Sequence, residues 1–118
     1  MGMTTVELTL SKISNPRKKL TDQFLIDAGA SLTVLPCAMW QALKIKPEDK
    51  VTIRFTDGRI EYRDVGFALV TYKDKTVPTQ VILGEADDSL LMGVLTIEEM
   101  GLVLNPLKRT LMQAELRM

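Results

Sequence analysis

Residues Phe24–Pro36 have the sequence FLIDAGASLTVLP, in which one carboxylate follows three apolar residues and precedes three small ones. Burying a carboxylate beside apolar strands is costly unless it is paired or protonated. The small residues Ala28–Ala30 leave room for backbone or a ligand to approach closely. Two interpretations follow from these residues: Asp27 closes an ordinary turn by bonding to its own backbone, or it belongs to a functional site.

A second informative segment is Leu90–Gly101, with the sequence LLMGVLTIEEMG. An apolar strand leads to Gly93, and the helix-forming residues Thr96–Met100 end at Gly101. Glycine is the usual residue just after a helix, so this pattern predicts a strand, a glycine and a short helix.

The rest of the chain is predicted to consist mainly of strands. Thr4–Ile13 alternates between apolar and polar residues, whereas Asn15–Lys19 is typical of a solvated turn. The Asp-Gly pair in Thr56–Gly58 predicts a hairpin. Further strands are predicted at Phe24–Ile26, Leu32–Leu35, Val51–Phe55, Ile60–Arg63, Phe67–Tyr72, Val77–Leu83, Leu102–Leu104 and Thr110–Leu116, with a short helix at Cys37–Leu43. These elements predict an all-β domain over residues 1–118, a compact barrel or sandwich with two short helices.

Composition excludes several classes of function. The chain has 15 basic and 15 acidic residues, one cysteine and no histidine. The missing histidine excludes Ser-His and Cys-His catalysis, and a single cysteine excludes an internal disulfide. Balanced charge gives no electrostatic case for nucleic acid or an anionic membrane as partner. The sequence has no signal peptide and no apolar run near the ~20 residues of a membrane span, so we expect a cytoplasmic protein. We also expect no metal and no cofactor, since histidine, the commonest zinc ligand, is missing.

Together, the two segments resemble the retroviral (retropepsin-like) aspartic proteases and their cellular and prokaryotic relatives. That family has two hydrophobic residues before Asp-Thr/Ser-Gly-Ala, matched here by Leu25–Ala30, and a continuation matched by Thr33–Leu35. It later has two hydrophobic residues, a glycine and a helix, matched by Leu91–Gly101. The resemblance covers about residues 20–107. It implies a closed, barrel-like acid-protease fold with one or two short helices that works as a two-fold homodimer.

The resemblance implies an aspartic endopeptidase, a hydrolase acting on an extended peptide or protein substrate. Asp27 is its catalytic residue, and one carboxylate per chain suggests a site shared across a two-fold axis. Two such carboxylates about 3 Å apart hold one proton between them, so one can activate a water while the other protonates the scissile carbonyl. The implied supporting roles are substrate binding by Gly29, Ala30 and Ser31, a flap at Thr56, Asp57 and Gly58, and support of the active-site loop by Ala28, Leu91 and Gly93.

Position 28 departs from the family, which has threonine or serine there. In relatives that hydroxyl bonds across the two-fold axis, and we expect its loss to cost about 1–3 kcal/mol. We therefore expect weak or substrate-restricted cleavage. The alternative is a catalytically weak or inactive dimerisation or peptide-binding module, and a third hypothesis is a structural β-domain. Relatives also often have an acid where this chain has Ser31, which implies a weaker substrate contact.

Three further features complete the predictions. Asp87–Asp88 is typical of a solvated loop and not of a metal site, and Cys37 of a structural residue. The terminal segments Thr4–Leu10 and Thr110–Leu116 are predicted to be exposed strand edges. Pairing them across the two-fold axis would cover these edges.

Overall fold

The computed structural model describes residues 3–115, which form nine strands and two short helices. The elements are β1 (Thr5–Lys12), β2 (Asn15–Ile26), β3 (Thr33–Leu35), α1 (Cys37–Ala42), β4 (Asp49–Arg54), β5 (Ile60–Tyr72), β6 (Lys75–Leu83), β7 (Leu91–Met92), α2 (Val94–Glu99), β8 (Leu102–Asn105) and β9 (Thr110–Gln113). The prediction of a mostly-strand chain with two short helices is confirmed. No helix within the described residues is long and apolar enough to cross a membrane.

Seven strands form one sheet in the order β1-β2-β7-β3-β6-β5-β4, and β8 and β9 form a separate two-stranded sheet. β1 also pairs with β5, where Leu10 lies opposite Val70. The two-residue strand β7 lies between β2, to which it is parallel, and β3, to which it is antiparallel. β7 therefore joins the two strands that flank the segment containing Asp27.

The core follows from the alternation seen in the sequence. Leu8 and Leu10 of β1 are fully buried, as the period-two pattern predicts, and Phe24 of β2 packs in the same cluster. Met39 of α1 and Ile97 of α2 complete the cluster, so each short helix is held by one buried side chain or more.

The predicted turns at Gly58 and Gly101 are confirmed, and both glycines have the left-handed backbone that favours this residue. Gly58 has φ +90° in the β4–β5 hairpin. Gly101 has φ +70°, and its N–H donates to Glu98 O at 2.9 Å just after α2.

The predicted turn at Asn15–Lys19 is wrong. The chain turns at Ile13–Ser14, and β2 begins at Asn15, which lies opposite Lys12 of β1. The first residues of β2 are exposed on both faces. A strand with no buried face shows no alternation, so its sequence resembles that of a loop.

The prediction that Thr4–Leu10 is an exposed edge is wrong at the C-terminal end of that segment, where Thr9 and Leu10 have a second partner in β5. β1 pairs with β2 from Thr5 onward, and Leu10 also pairs with β5 on its other side. At the other end of the chain, β9 ends at Gln113, and Leu116 of the predicted last strand lies outside the described residues.

Candidate active site

Asp27 follows the last residue of β2 directly and is placed by backbone bonds to β7. Its N–H donates to Met92 O at 3.2 Å, which extends the parallel pairing of Ile26 with Met92 by one residue. Its side chain is half-buried, and Oδ1 accepts the N–H of Gly29 at 2.8 Å. This is the backbone bond of an Asx turn, and it fixes the direction of the carboxylate.

The loop after Asp27 is attached to the first turn of α2. Val94 N–H donates to Ala30 O at 2.9 Å, and Leu95 N–H donates to Ser31 O at 3.0 Å. The first N–H groups of a helix have no partner inside the helix. Here the carbonyl groups of Ala30 and Ser31 accept hydrogen bonds from two of these N–H groups. Gly93 at the N-cap has no side chain that could accept such a bond. The position of α2 therefore determines the position of the loop.

A cleft of about 570 Å³ lies between this loop and β4. The predicted site residues along it are Asp27, Gly29, Ala30, Ser31, Thr56 and Leu91. Ala28 is exposed and does not line the cleft. Asp57, Gly58 and Gly93 do not line the cleft either. The sequence did not single out the β4 residues of the opposite wall, Val51–Arg54. Their alternation predicted a strand but not what it faces. The roles of all these residues stay predictions.

Among solved structures, EIAV protease complexed with the inhibitor HBY-793 is similar to this chain, with a TM-score of 0.67. The match covers 99% of this chain and 94% of that chain, at 16% sequence identity. The chain has the fold of a retroviral protease. No protein-family model and no curated protein matches the sequence. The predicted retropepsin-like fold is confirmed, whereas the relationship to prokaryotic members stays a prediction.

In this retroviral-protease fold, a buried pair of hydroxyl groups lies beneath the Asp27 loop. Thr33 Oγ1 and Thr96 Oγ1 are 2.7 Å apart, and both residues are 0% exposed. Thr33 Oγ1 also accepts the N–H of Gly93 at 3.1 Å. The pair joins β3 to α2 beneath the loop. The sequence offered no signal for it, since isolated threonines are common in strands and helices.

Gly93 is required by a close approach of two backbone segments. A Cβ at this position would lie 2.4 Å from the carbonyl carbon of Leu32. The backbone of the Asp27 loop therefore packs directly on the start of α2. The role of Gly93 in supporting the active-site loop stays a prediction.

The tip of the β4–β5 hairpin is ordered by Arg59. Its Nε donates to Asp57 Oδ2 at 2.8 Å, and its guanidinium lies 4.6 Å from the centre of the Phe55 ring. The backbone N–H of Arg59 and then its guanidinium lower the pKa of Asp57 below its ordinary value. The Asp57 carboxylate is thus paired with Arg59 of the same hairpin. Of the predicted flap residues, Thr56 is the one that lines the cleft.

Asp88 does not lie in a fully solvated loop, and this part of the prediction is wrong. Its Oδ2 accepts the Nε of Arg63 at 3.1 Å, and Arg63, whose side chain is 10% exposed, also pairs with Glu61 and Glu85. Burial raises the pKa of Asp88, but the bonds from Arg63 and the Glu85 N–H outweigh it and lower that pKa overall. The Asp88 hydrogen bond in turn raises the pKa of Arg63.

Arg63 lies on β5 and Asp88 on the segment before β7, and both line the cleft. Their pairing therefore ties the base of the hairpin to the floor of the site. Within residues 3–115, no group of three or more His, Cys, Asp or Glu side chains is arranged to hold a metal ion.

Proposed function

We propose that this chain is an aspartic endopeptidase that assembles its catalytic site from two copies. The observation that carries the proposal is the position of Asp27, on the floor of a cleft whose opposite wall is the β4–β5 hairpin. The similar viral protease binds an inhibitor. The proposal includes a cytoplasmic location and a barrel closed by the pairing of β1 with β5.

In the proposed dimer, Asp27 and Asp27 of the partner subunit face each other across the two-fold axis and share one proton. The ionised carboxylate takes a proton from a water molecule, whose oxygen forms a bond to the scissile carbonyl carbon. The protonated carboxylate gives its proton to the carbonyl oxygen. The resulting diol collapses when the C–N bond breaks and the amine nitrogen takes a proton, with no covalent enzyme intermediate.

The Gly29 N–H supports this chemistry because it holds Oδ1 of Asp27 in a fixed direction in each subunit. A fixed carboxylate needs little reorganisation when charge shifts during the reaction. The substrate is proposed to lie extended along the cleft, between Gly29–Ser31 on one wall and β4 on the other. β4 pairs only with β5 within the described residues, so its second edge is open towards such a peptide.

The test is cleavage of a broad peptide library from about pH 3.5 to 7, with Asp27→Asn as the matched control. Replacing the Asp27 carboxylate with an amide of the same size should abolish turnover and leave the circular dichroism spectrum unchanged. Cleavage that survives in Asp27→Asn refutes the assignment.

A second candidate, a peptide-binding module without turnover, is favoured by one observation. Ala28 is exposed beside Asp27 and offers a methyl group where a hydroxyl could bond to a partner. This candidate predicts that the library peptides bind, by fluorescence anisotropy, while no product forms at any pH. Restoring the hydroxyl with Ala28→Thr distinguishes the two candidates, because only a weakened protease gains turnover.

A further inference from the structure

A second groove, of about 400 Å³, shares no lining residue with the cleft at Asp27. It is lined by residues 12–14, 45–46, 48 and 67, and we call it the edge groove. Ile13 is 45% and Phe67 47% exposed, whereas Ile45 is buried. The edge groove therefore presents two apolar side chains to solvent beside a buried one.

The edge groove lies at a gap in the seven-stranded sheet. β6 pairs with one edge of β5 along Asp64–Tyr72. On the other edge, β4 pairs as far as Val65 and β1 pairs from Leu69 onward. Within the described part of the chain, no strand pairs with residues 66–68 on this second edge. The gap from Val65 to Leu69 measures about 13 Å along the strand, which is room for a peptide segment of three or four residues.

The backbone of Phe67 directs its hydrogen-bonding groups into this gap. Glu48 N–H donates to Val65 O at 2.8 Å, so the carbonyl of Val65 points to the edge where β4 and β1 lie. The pairing of β5 with β6 has no register shift, so the directions of the N–H and C=O groups alternate regularly along β5. Phe67 follows Val65 by two residues, and its N–H and C=O therefore point to the same edge as those of Val65.

The wall formed by residues 45–48 is packed tightly on β5. A Cβ at Gly66 would lie 2.8 Å from Lys46 O and 3.0 Å from Cγ2 of Ile45, so the absence of a side chain lets this segment approach the strand. The bond from Glu48 N–H to Val65 O holds the same segment. The edge groove is therefore preformed, and little ordering is needed when it binds a ligand.

The rim of the edge groove is basic. Lys12 and Lys46 line it, together with one acid, Glu48. Neither lysine forms an ion pair with another residue in the range 3–115. The adjoining stretch from residue 12 to residue 19 has four basic residues and no acid, although the whole chain has equal numbers of both. The charge of this region therefore complements an acidic ligand.

We propose that the edge groove binds an extended, acidic peptide segment of a partner protein. One apolar side chain of the segment packs between Ile13 and Phe67, and its carboxylates lie beside Lys12 and Lys46. Its backbone pairs with the N–H and C=O of Phe67, as when a short strand is added to the edge of a sheet. This inference goes beyond the proposed function, because the edge groove lies outside the Asp27 cleft and takes no part in catalysis.

The test is fluorescence anisotropy with a labelled acidic peptide, Glu-Asp-Leu-Phe-Asp-Glu, and its basic counterpart, Lys-Lys-Leu-Phe-Lys-Lys. The full chain carries Asp27→Asn, so that no peptide is cleaved during the measurement. The acidic peptide should bind saturably and more tightly than the basic one, and added salt should weaken its binding.

Three substitutions in this background locate the site. Lys46→Glu should weaken binding of the acidic peptide about tenfold, because an attraction becomes a repulsion. Lys73→Glu is the matched control, since it makes the same charge change in the exposed β5–β6 turn, about 20 Å along the strand from Phe67. Phe67→Ser should also weaken binding about tenfold, because it removes the apolar surface that the peptide covers. Thermal unfolding confirms that each variant is folded.

The outcomes separate the edge groove from a general attraction of anions. Weaker binding in Lys46→Glu and Phe67→Ser, with Lys73→Glu unchanged, supports the proposal. Equal binding by Lys46→Glu and Lys73→Glu overturns it, and so does equal binding of the acidic and basic peptides. Loss of binding in Lys46→Glu but not in Phe67→Ser indicates a basic surface without an apolar contact, which also overturns it. None of these results depends on whether the chain cleaves peptides.

Discussion

Replacing Gly93 with alanine should destabilise the protein severely, because the new methyl group has no room. Its Cβ would lie 2.4 Å from the Leu32 carbonyl carbon and 2.5 Å from the carbonyl oxygen, against an ordinary contact of at least 3.4 Å. The two backbone segments must therefore separate by about 1 Å. Backbone cannot rotate away as a side chain would, so the strain is shared by the Asp27 loop and the start of α2.

The magnitude follows from two costs. Overpacking of this kind costs about 1–3 kcal/mol, and we place this case at the upper end because both neighbours are backbone. The separation also lengthens the bond from Gly93 N–H to Thr33 Oγ1, which contributes about 1 kcal/mol. A loss of about 3–4 kcal/mol lowers the melting temperature by roughly 12–16 °C in a domain of this size.

Thermal unfolding followed by circular dichroism measures this effect, with Gly101→Ala as the matched control. Gly101 has φ +70°, and nothing lies within 4 Å of its added Cβ. Its substitution therefore costs only the left-handed backbone strain, about 1 kcal/mol, or roughly 4 °C. If Gly93→Ala melts no lower than Gly101→Ala, the packing of Leu32 on Gly93 is refuted.

Three further substitutions have defined expected outcomes. Thr33→Val removes the acceptor of a buried backbone N–H as well as the partner of Thr96, so it should cost about 1–3 kcal/mol in chemical denaturation. Thr96→Val removes only the hydroxyl pair and should cost about 1 kcal/mol less. Asp88→Asn should lose about 1–2 kcal/mol at pH 7, because Arg63 keeps its bonds to two other acids. Since the pKa of Asp88 is lowered, this stability is present above its ordinary pKa of 3.8 and lost as the pH falls through the folded value. Gly29→Ala places a methyl group 3.3 Å from Asp27 Oδ1, so under the proposed function it should reduce peptide cleavage while stability changes by less than about 0.5 kcal/mol.

Each of these outcomes has a clear contrary result. Equal costs for the two threonine substitutions would show that the Gly93 N–H does not depend on Thr33. A cost for Asp88→Asn that stays constant below pH 3.8 would show that its carboxylate is not the titrating partner of Arg63. Full activity in Gly29→Ala would show that the direction of the carboxylate is not set at this position.

The sequence predicted the parts of the fold that have one buried face. The alternation around Leu8 and Leu10, the Asp-Gly hairpin and the glycine after α2 each reflect a local constraint that leaves a trace in the sequence. The exposed start of β2 left no such trace, because neither of its faces is selected for apolar residues. The pairing of β1 with β5 could not be predicted either, because the two strands are far apart in the sequence.

The sequence drew attention to the acidic residue of the candidate site, but to few of the residues around it. Asp27 was singled out because a carboxylate after an apolar run is costly to bury, and its assignment to a functional site came from the family resemblance carried by this segment together with Leu90–Gly101. Arg63 and Asp88 were missed because their pairing depends on the crossing of two segments 25 residues apart. The Thr33–Thr96 pair was missed for the same reason. Long-range polar pairs carry no local sequence signal, even when they line or support a site.

The insertion of β7 between β2 and β3 also affects when the site can form. Leu25 and its partner Leu91 are separated by about 65 residues, so this contact requires a long loop to close. Contacts of this sequence separation form slowly and late compared with hairpins such as β1–β2. During synthesis, Asp27 emerges long before the strand that places it. The Asp27 loop therefore cannot be ordered by β7 until residues 91–92 have been made.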